Sequence, residues 1–160
     1  MTRRPSTFLL SSVGAFFLVI AVWLTSLLYQ PVPTVPVNQT ATLEGVTWHL
    51  DFLRQVDPDD PAVTSSYMPS IDGATYLLLQ FTRSSPDPLS VCFARVAGNG
   101  RQWAATGVFK PPEGISQSCS KETDATEQFV AVVPPSVVPE IHAVEVNVNG
   151  KWVRLEGRVT

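Results

Sequence analysis

The sequence predicts a mainly β protein: an N-terminal transmembrane helix followed by an antiparallel β-sandwich of about seven strands. Three observations predict it. An apolar run without charge lies near the start, short stretches of period-two alternation fill most of the remainder, and turn residues punctuate those stretches at short intervals. No long segment after residue 41 repeats its apolar residues at helical spacing.

Phe8 to Tyr29, FLLSSVGAFFLVIAVWLTSLLY, is 22 residues long with neither charge nor proline. At 1.5 Å per residue such a helix reaches about 33 Å, against a hydrocarbon core of about 30 Å. Trp23 and Tyr29 fall toward its outer end, where amphipathic rings favour the membrane interface. Arg3 and Arg4 precede it, and the next basic residue is Arg54. The positive-inside rule therefore places residues 1–7 in the cytoplasm and everything beyond Tyr29 outside, as in a single-pass plasma-membrane protein. A cleaved signal peptide shares this charge order but wants a shorter apolar core and small residues at two positions before the cut. The pairs Trp23/Thr25 and Leu24/Ser26 serve that purpose poorly, so a retained anchor is expected.

Residues 30–41, QPVPTVPVNQTA, carry Pro31, Pro33 and Pro36, which fix φ and extend their predecessors. Read as polyproline II at 3.1 Å per residue, they form a stalk of about 35 Å. Residues 42–160 then make the outer domain. Roughly 120 residues bury about two-thirds of their unfolded surface, so no metal or cofactor is needed for folding. Of the 11 basic residues two lie before the anchor, which leaves the outer part acidic against 14 carboxylates. That balance disfavours nucleic acid, whose binding needs a basic stripe.

Within this domain Val46, Trp48, Leu50 and Phe52 alternate with Thr47, His49 and Asp51, a half-buried strand with its aromatics inward. The polar stretch QVDPDDPAVTSSYMPSIDG reads as a loop. Residues 75–82, TYLLLQFT, are apolar on both faces, as in a central strand. Strands over 89–96 and 101–106 flank Gly98-Asn99-Gly100, a hairpin signal. FKPPEGISQSCSKETD is a loop, residues 128–133 a strand halted by Pro134-Pro135, and 144–148 and 151–156 a hairpin turning at Asn149-Gly150. Number, length and turn spacing point to the immunoglobulin-like type of sandwich.

The strings GATYLLLQFTR, QFVAVVP and IHAVEVNVNGKWVRL resemble the immunoglobulin-like domains of secreted or membrane-anchored Gram-positive proteins, actinobacterial ones especially. The resemblance spans most of residues 42–158. It implies fold and location and brings no catalytic residues with it. The cross-sheet disulfide of true immunoglobulin domains is not carried over, because Cys92 and Cys119 are 27 positions apart with Trp103 between them.

Two cysteines on the outer side predict one structural disulfide, Cys92–Cys119. The enzymatic alternative is a sortase-like transpeptidase, in which a cysteine thiolate attacks a peptide carbonyl and an arginine stabilises the developing charge. PLSVC shares only its leucine and cysteine with the T-L-x-T-C motif of that family, and Cys92, His49 and Arg101 would have to serve. The expectation is that the protein is not an enzyme. The histidines, His49 and His142, lie far apart and the cysteines are committed, so no zinc set is expected. Asp57, Asp59 and Asp60 lack the spacing of a calcium loop and read as a solvated turn. Trp103 and Trp152, both beside hairpin turns, are the candidate exposed aromatics for a binding surface; Trp48 belongs to the core. The expected function is to bind another envelope or secreted protein, with a glycan or small molecule as the alternative ligand.

Overall fold

The structure is a computed structural model that describes residues 16–24, 32–66, 70–87, 92–108, 119 and 122–160. The chain divides into two compact units, Met1–Val32 and Pro33–Thr160. In the first, residues 16–24 are helical and Trp23 is exposed. Among the described residues no helix is long and apolar enough to cross a membrane. The rest of the predicted anchor, with Arg3, Arg4 and Tyr29, lies outside the described residues.

The second unit is built from nine described strands rather than about seven: β1 (Thr34–Val35), β2 (Thr40–Leu43), β3 (Val46–Val56), β4 (Thr75–Ser84), β5 (Phe93–Gly98), β6 (Arg101–Gly107), β7 (Asp124–Val133), β8 (Ala143–Val148) and β9 (Lys151–Glu156). They form one hydrogen-bonded sheet in the order β1-β9-β8-β5-β6-β7-β4-β3-β2. All ladders are antiparallel except β1 with β9, which makes the sheet mixed. The sheet becomes a sandwich because β6 changes partners. It pairs with β5 up to Ala105 and with β7 from Ala105 to Gly107, so Ala105 sits opposite both Ala94 and Ala131. One half-sheet, β2-β3-β4-β7, thereby folds over the other, β6-β5-β8-β9-β1, with β6 as the corner.

The core between the halves follows the period-two pattern of the strands. Leu77, Leu79 and Phe81 of β4 and Phe129, Ala131 and Val133 of β7 meet Ala94 and Val96 of β5, Val144, Val146 and Val148 of β8, and Val153 and Leu155 of β9. Trp48 and Phe81 stack edge to face at 5.9 Å, and Phe81 and Phe129 at 6.0 Å. The hairpin turns at Asn99-Gly100 and Asn149-Gly150 take positive φ at both central residues, as the sequence predicts for two-residue turns.

Three expectations are corrected. The proline-rich segment expected as a stalk joins the sheet from Thr34 onward. Ala41 is buried, and β2 pairs with β3 through a two-residue turn at Glu44-Gly45. The sandwich unit thus begins at Pro33 rather than residue 42. Second, Phe52 does not face inward with Trp48. The ladder slips between Leu50 and Phe52, so Asp51 is an extra residue and parity inverts: Leu53 enters the core and Phe52 packs outside. Third, the stretch after β3 holds a short helix, Pro61–Ser65, where a loop was expected. Asp60 caps it by accepting the Ala62 amide at 2.8 Å. That helix lays Val63 on Tyr76, Leu78 and Val130, which is why β4 is apolar on both faces.

The two edges of the sheet are also neighbours in the chain. β1 and β2 are separated only by the turn in which the Gln39 amide donates to the Pro36 carbonyl. Lys151 beside the β8–β9 turn pairs with Glu44 at the β2–β3 turn. Beyond β2, the chain end pairs with the far part of β3: Thr160 donates to the Leu53 carbonyl at 3.0 Å and accepts from the Gln55 amide at 3.2 Å. The result is a nearly closed, barrel-like sandwich whose edge strands are short or covered.

Candidate binding groove

On β8 the valines point inward, so Glu145 and Asn147 point outward. β8 lies between β5 and β9, and register places Arg95 and Arg154 directly on either side of Glu145. Cross-strand neighbours on one face stand about 5 Å apart at Cβ, within reach of long side chains. Arg95 donates from Nε to Glu145 Oε2 at 2.5 Å, and Gln102 donates to the same oxygen at 3.2 Å. Arg154 donates from Nε to Oε1 at 2.8 Å. Glu145 is 0 % exposed, whereas the Arg95 and Arg154 side chains keep 23 % and 33 % of their surface. A buried carboxylate is costly unless compensated, and here two guanidinium groups compensate one acid.

Arg95 is held on its other flank as well. Its guanidinium carbon stands 3.7 Å from the centroid of the Trp152 ring, a cation–π stack. Beside this stack a groove of about 440 Å³ opens over β5 and β6. Its floor is shallow because Ala104, Ala105 and Gly107 carry little or no side chain; Phe93, Gln102 and Trp152 wall it. Phe93 is 44 % exposed, a large apolar ring left to solvent on an otherwise well-buried sheet. Arg95 is the only charged side chain among the lining residues. The arrangement suits binding: apolar walls supply area, and one fixed cation with one amide supplies orientation.

The predicted aromatic pair is not brought together. Trp103 is opposite Val96, on the inward row with Val144 and Leu155, and packs against the core. Trp152 is opposite Asn147, which has Phe93 on its other side, in the outward row. A platform made from both tryptophans is therefore absent. Phe93 and Arg95 were missed by sequence reasoning. The signal was present in FAR, where residues 93 and 95 share a face, and in the small residues of AATG, but the partner strands were not readable.

The disulfide forms as expected: Cys92 and Cys119 are bonded with Cα atoms 5.2 Å apart. The sortase-like set consequently has no thiol at Cys92. His49 sits in a row with Thr40 and Thr82 on the opposite half-sheet, and Arg101 borders the β5–β6 turn. His142 is held by its backbone, its amide donating to the Ala97 carbonyl, with Nδ1 2.8 Å from the Glu140 carbonyl. Asp60 is engaged as a helix cap and lies 4.0 Å from Arg54; no cluster of metal-ligating side chains occurs among the described residues.

No protein-family model matches the chain, and no curated protein matches it. Two solved structures are similar. One is an uncharacterised β-sandwich protein of Clostridium difficile 630, 10 % identical, covering 80 % of this chain and 95 % of that one, with a TM-score of 0.49. The other is MPT63, a secreted protein of Mycobacterium tuberculosis, 15 % identical, covering 80 % of this chain and 99 % of that one, with a TM-score of 0.50. At this identity the likeness to MPT63 is one of fold, the β-sandwich.

Proposed function

We propose that the chain is a single-pass membrane protein whose outer sandwich, used as immunoglobulin-like domains are used, binds another envelope or secreted protein and performs no chemistry of its own. The observation that carries the binding role is the groove: exposed Phe93 beside an Arg95–Trp152 stack that a buried carboxylate holds in place. Rigid aromatic and arginine side chains are the groups that anchor protein interfaces. The uncharged segment 8–29 behind Arg3 and Arg4 supports the anchor and its orientation. The disulfide supports an oxidising compartment outside the cytoplasm.

Two measurements on one preparation test this. The chain is recovered from membranes, alkylated without reduction and weighed intact. A full-length mass two hydrogens light, without alkyl groups, is expected. A mass beginning beyond Thr25 would remove the anchor, and an alkylated cysteine would remove the oxidised location. In the same preparation a co-purifying protein is expected to be lost in Phe93→Asp and kept in Thr42→Asp, which alters an exposed position of the opposite half-sheet. Equal recovery with both variants would contradict the role of the groove.

A further inference from the structure

We infer that the groove recognises a carboxylate adjoining an apolar side chain on the partner protein, an inference that rests on reading the groove as a docking surface. The argument is one of charge and of unused donors. Glu145 carries one negative charge between two guanidinium groups, so the cluster holds one positive charge in excess. Arg95 spends only Nε on Glu145, and among the described residues its two Nη groups have no hydrogen-bond partner. Arg95 and Gln102 line the groove; Glu145 and Arg154 do not. The buried acid therefore fixes Arg95 from behind while its fork remains available in front, against Trp152. A planar fork with free N–H groups matches a carboxylate, and the pre-set rotamer lowers the entropy lost on binding. Phe93 and the Trp152 ring sit beside it and take an aliphatic or aromatic neighbour. Glu156, the acid that β9 places on this face, lies opposite Ala143, on the far side of Arg154 from Trp152, and pairs with no cation among the described residues.

The test uses the full-length chain in detergent micelles and four acetylated peptides. These are Gly-Phe-Asp-Gly amide, Gly-Phe-Asn-Gly amide, Gly-Gly-Phe with a free carboxylate and Gly-Gly-Phe amide. The Trp152 indole N–H resonance, identified by its loss in Trp152→Phe, reports binding. The Asp peptide is expected to shift it and to bind about tenfold more tightly than the Asn peptide, the scale of one charge-assisted hydrogen bond. Arg95→Gln should abolish that preference, and Arg95→Lys should keep part of it. Arg154 still pairs with Glu145 in both variants, and the dispersion of the remaining resonances checks that they are folded. A preference for the free-carboxylate peptide over its amide, without one for Asp over Asn, would assign a chain terminus as the source of the carboxylate. Equal binding within both pairs overturns the inference. So does the absence of any shift: if co-purification still depends on Phe93 the docking surface stands without the carboxylate, and if it does not the docking surface falls too.

Discussion

Glu145 stands in the middle of a valine stripe, and its burial is possible only because residues 50 positions before and 9 after supply cations. Either arginine alone still offers the carboxylate a partner, whereas losing both strands a buried charge. Arg95→Met and Arg154→Met are each expected to cost about 1–2 kcal/mol, and the double variant to exceed their sum by about 1–3 kcal/mol. Urea unfolding measures all three, and strict additivity would contradict the shared-carboxylate arrangement. Outward placement of Glu145 was legible from parity, since Val144, Val146 and Val148 point the other way. Its partners were not, because they depend on which strands flank β8. The same limit separates Trp103 from Trp152. Both follow hairpin turns, and only the register of each ladder tells which side of the sheet each ring takes.

Elements bounded by strong turn chemistry were legible. Asn99-Gly100 and Asn149-Gly150 delimit β5, β6, β8 and β9, and the alternation over 75–82 and 128–133 gives β4 and the end of β7. The missed elements lack such signals. The β2–β3 turn places Glu44 at φ 54, a conformation that non-glycine residues seldom adopt, so no turn is evident there. β1 and β2 are short and follow prolines, which favour a linker reading. The helix Pro61–Ser65 spans 5 residues, too few to display a helical period. The bulge at Asp51 leaves no local mark. It is stabilised by neighbours remote in sequence, with Thr82 donating to Asp51 at 3.1 Å and Gln80 at 3.2 Å. The sharpest contrast between stalk and strand is at Ala41, which is 1 % exposed. Ala41→Asp is expected to destabilise the sandwich by about 3 kcal/mol or more, because it buries a charge without a partner. Thr42→Asp, on the exposed face, should change stability by less than about 0.5 kcal/mol. A stalk would tolerate both equally, and thermal unfolding of the two variants decides.

For the molecule as a whole, the sheet order explains how a short domain hides its edges and presents one face. Closure joins β1 to β2 through a single turn, the disulfide ties the segment before β5 to Cys119, and the helix Pro61–Ser65 covers the outer face of β4 and β7. The outer face of β5 and β6 has no such cover among the described residues, and that is where the groove lies. That the domain is a mainly β sandwich was legible in composition and alternation, while the mixed sheet, its closure and the groove were not, since they arise from long-range pairing of β1 with β9, of β5 with β8 and of β4 with β7. The claim that this face meets a protein partner is tested most directly by photocrosslinking on intact cells. A photoreactive residue is placed in turn at position 93, in the groove, and at position 82, on the opposite half-sheet. A discrete adduct from position 93 that disappears in the Arg95→Gln background, with none from position 82, is the predicted result. Adducts of equal yield from both positions, or an adduct from position 82 alone, would contradict it.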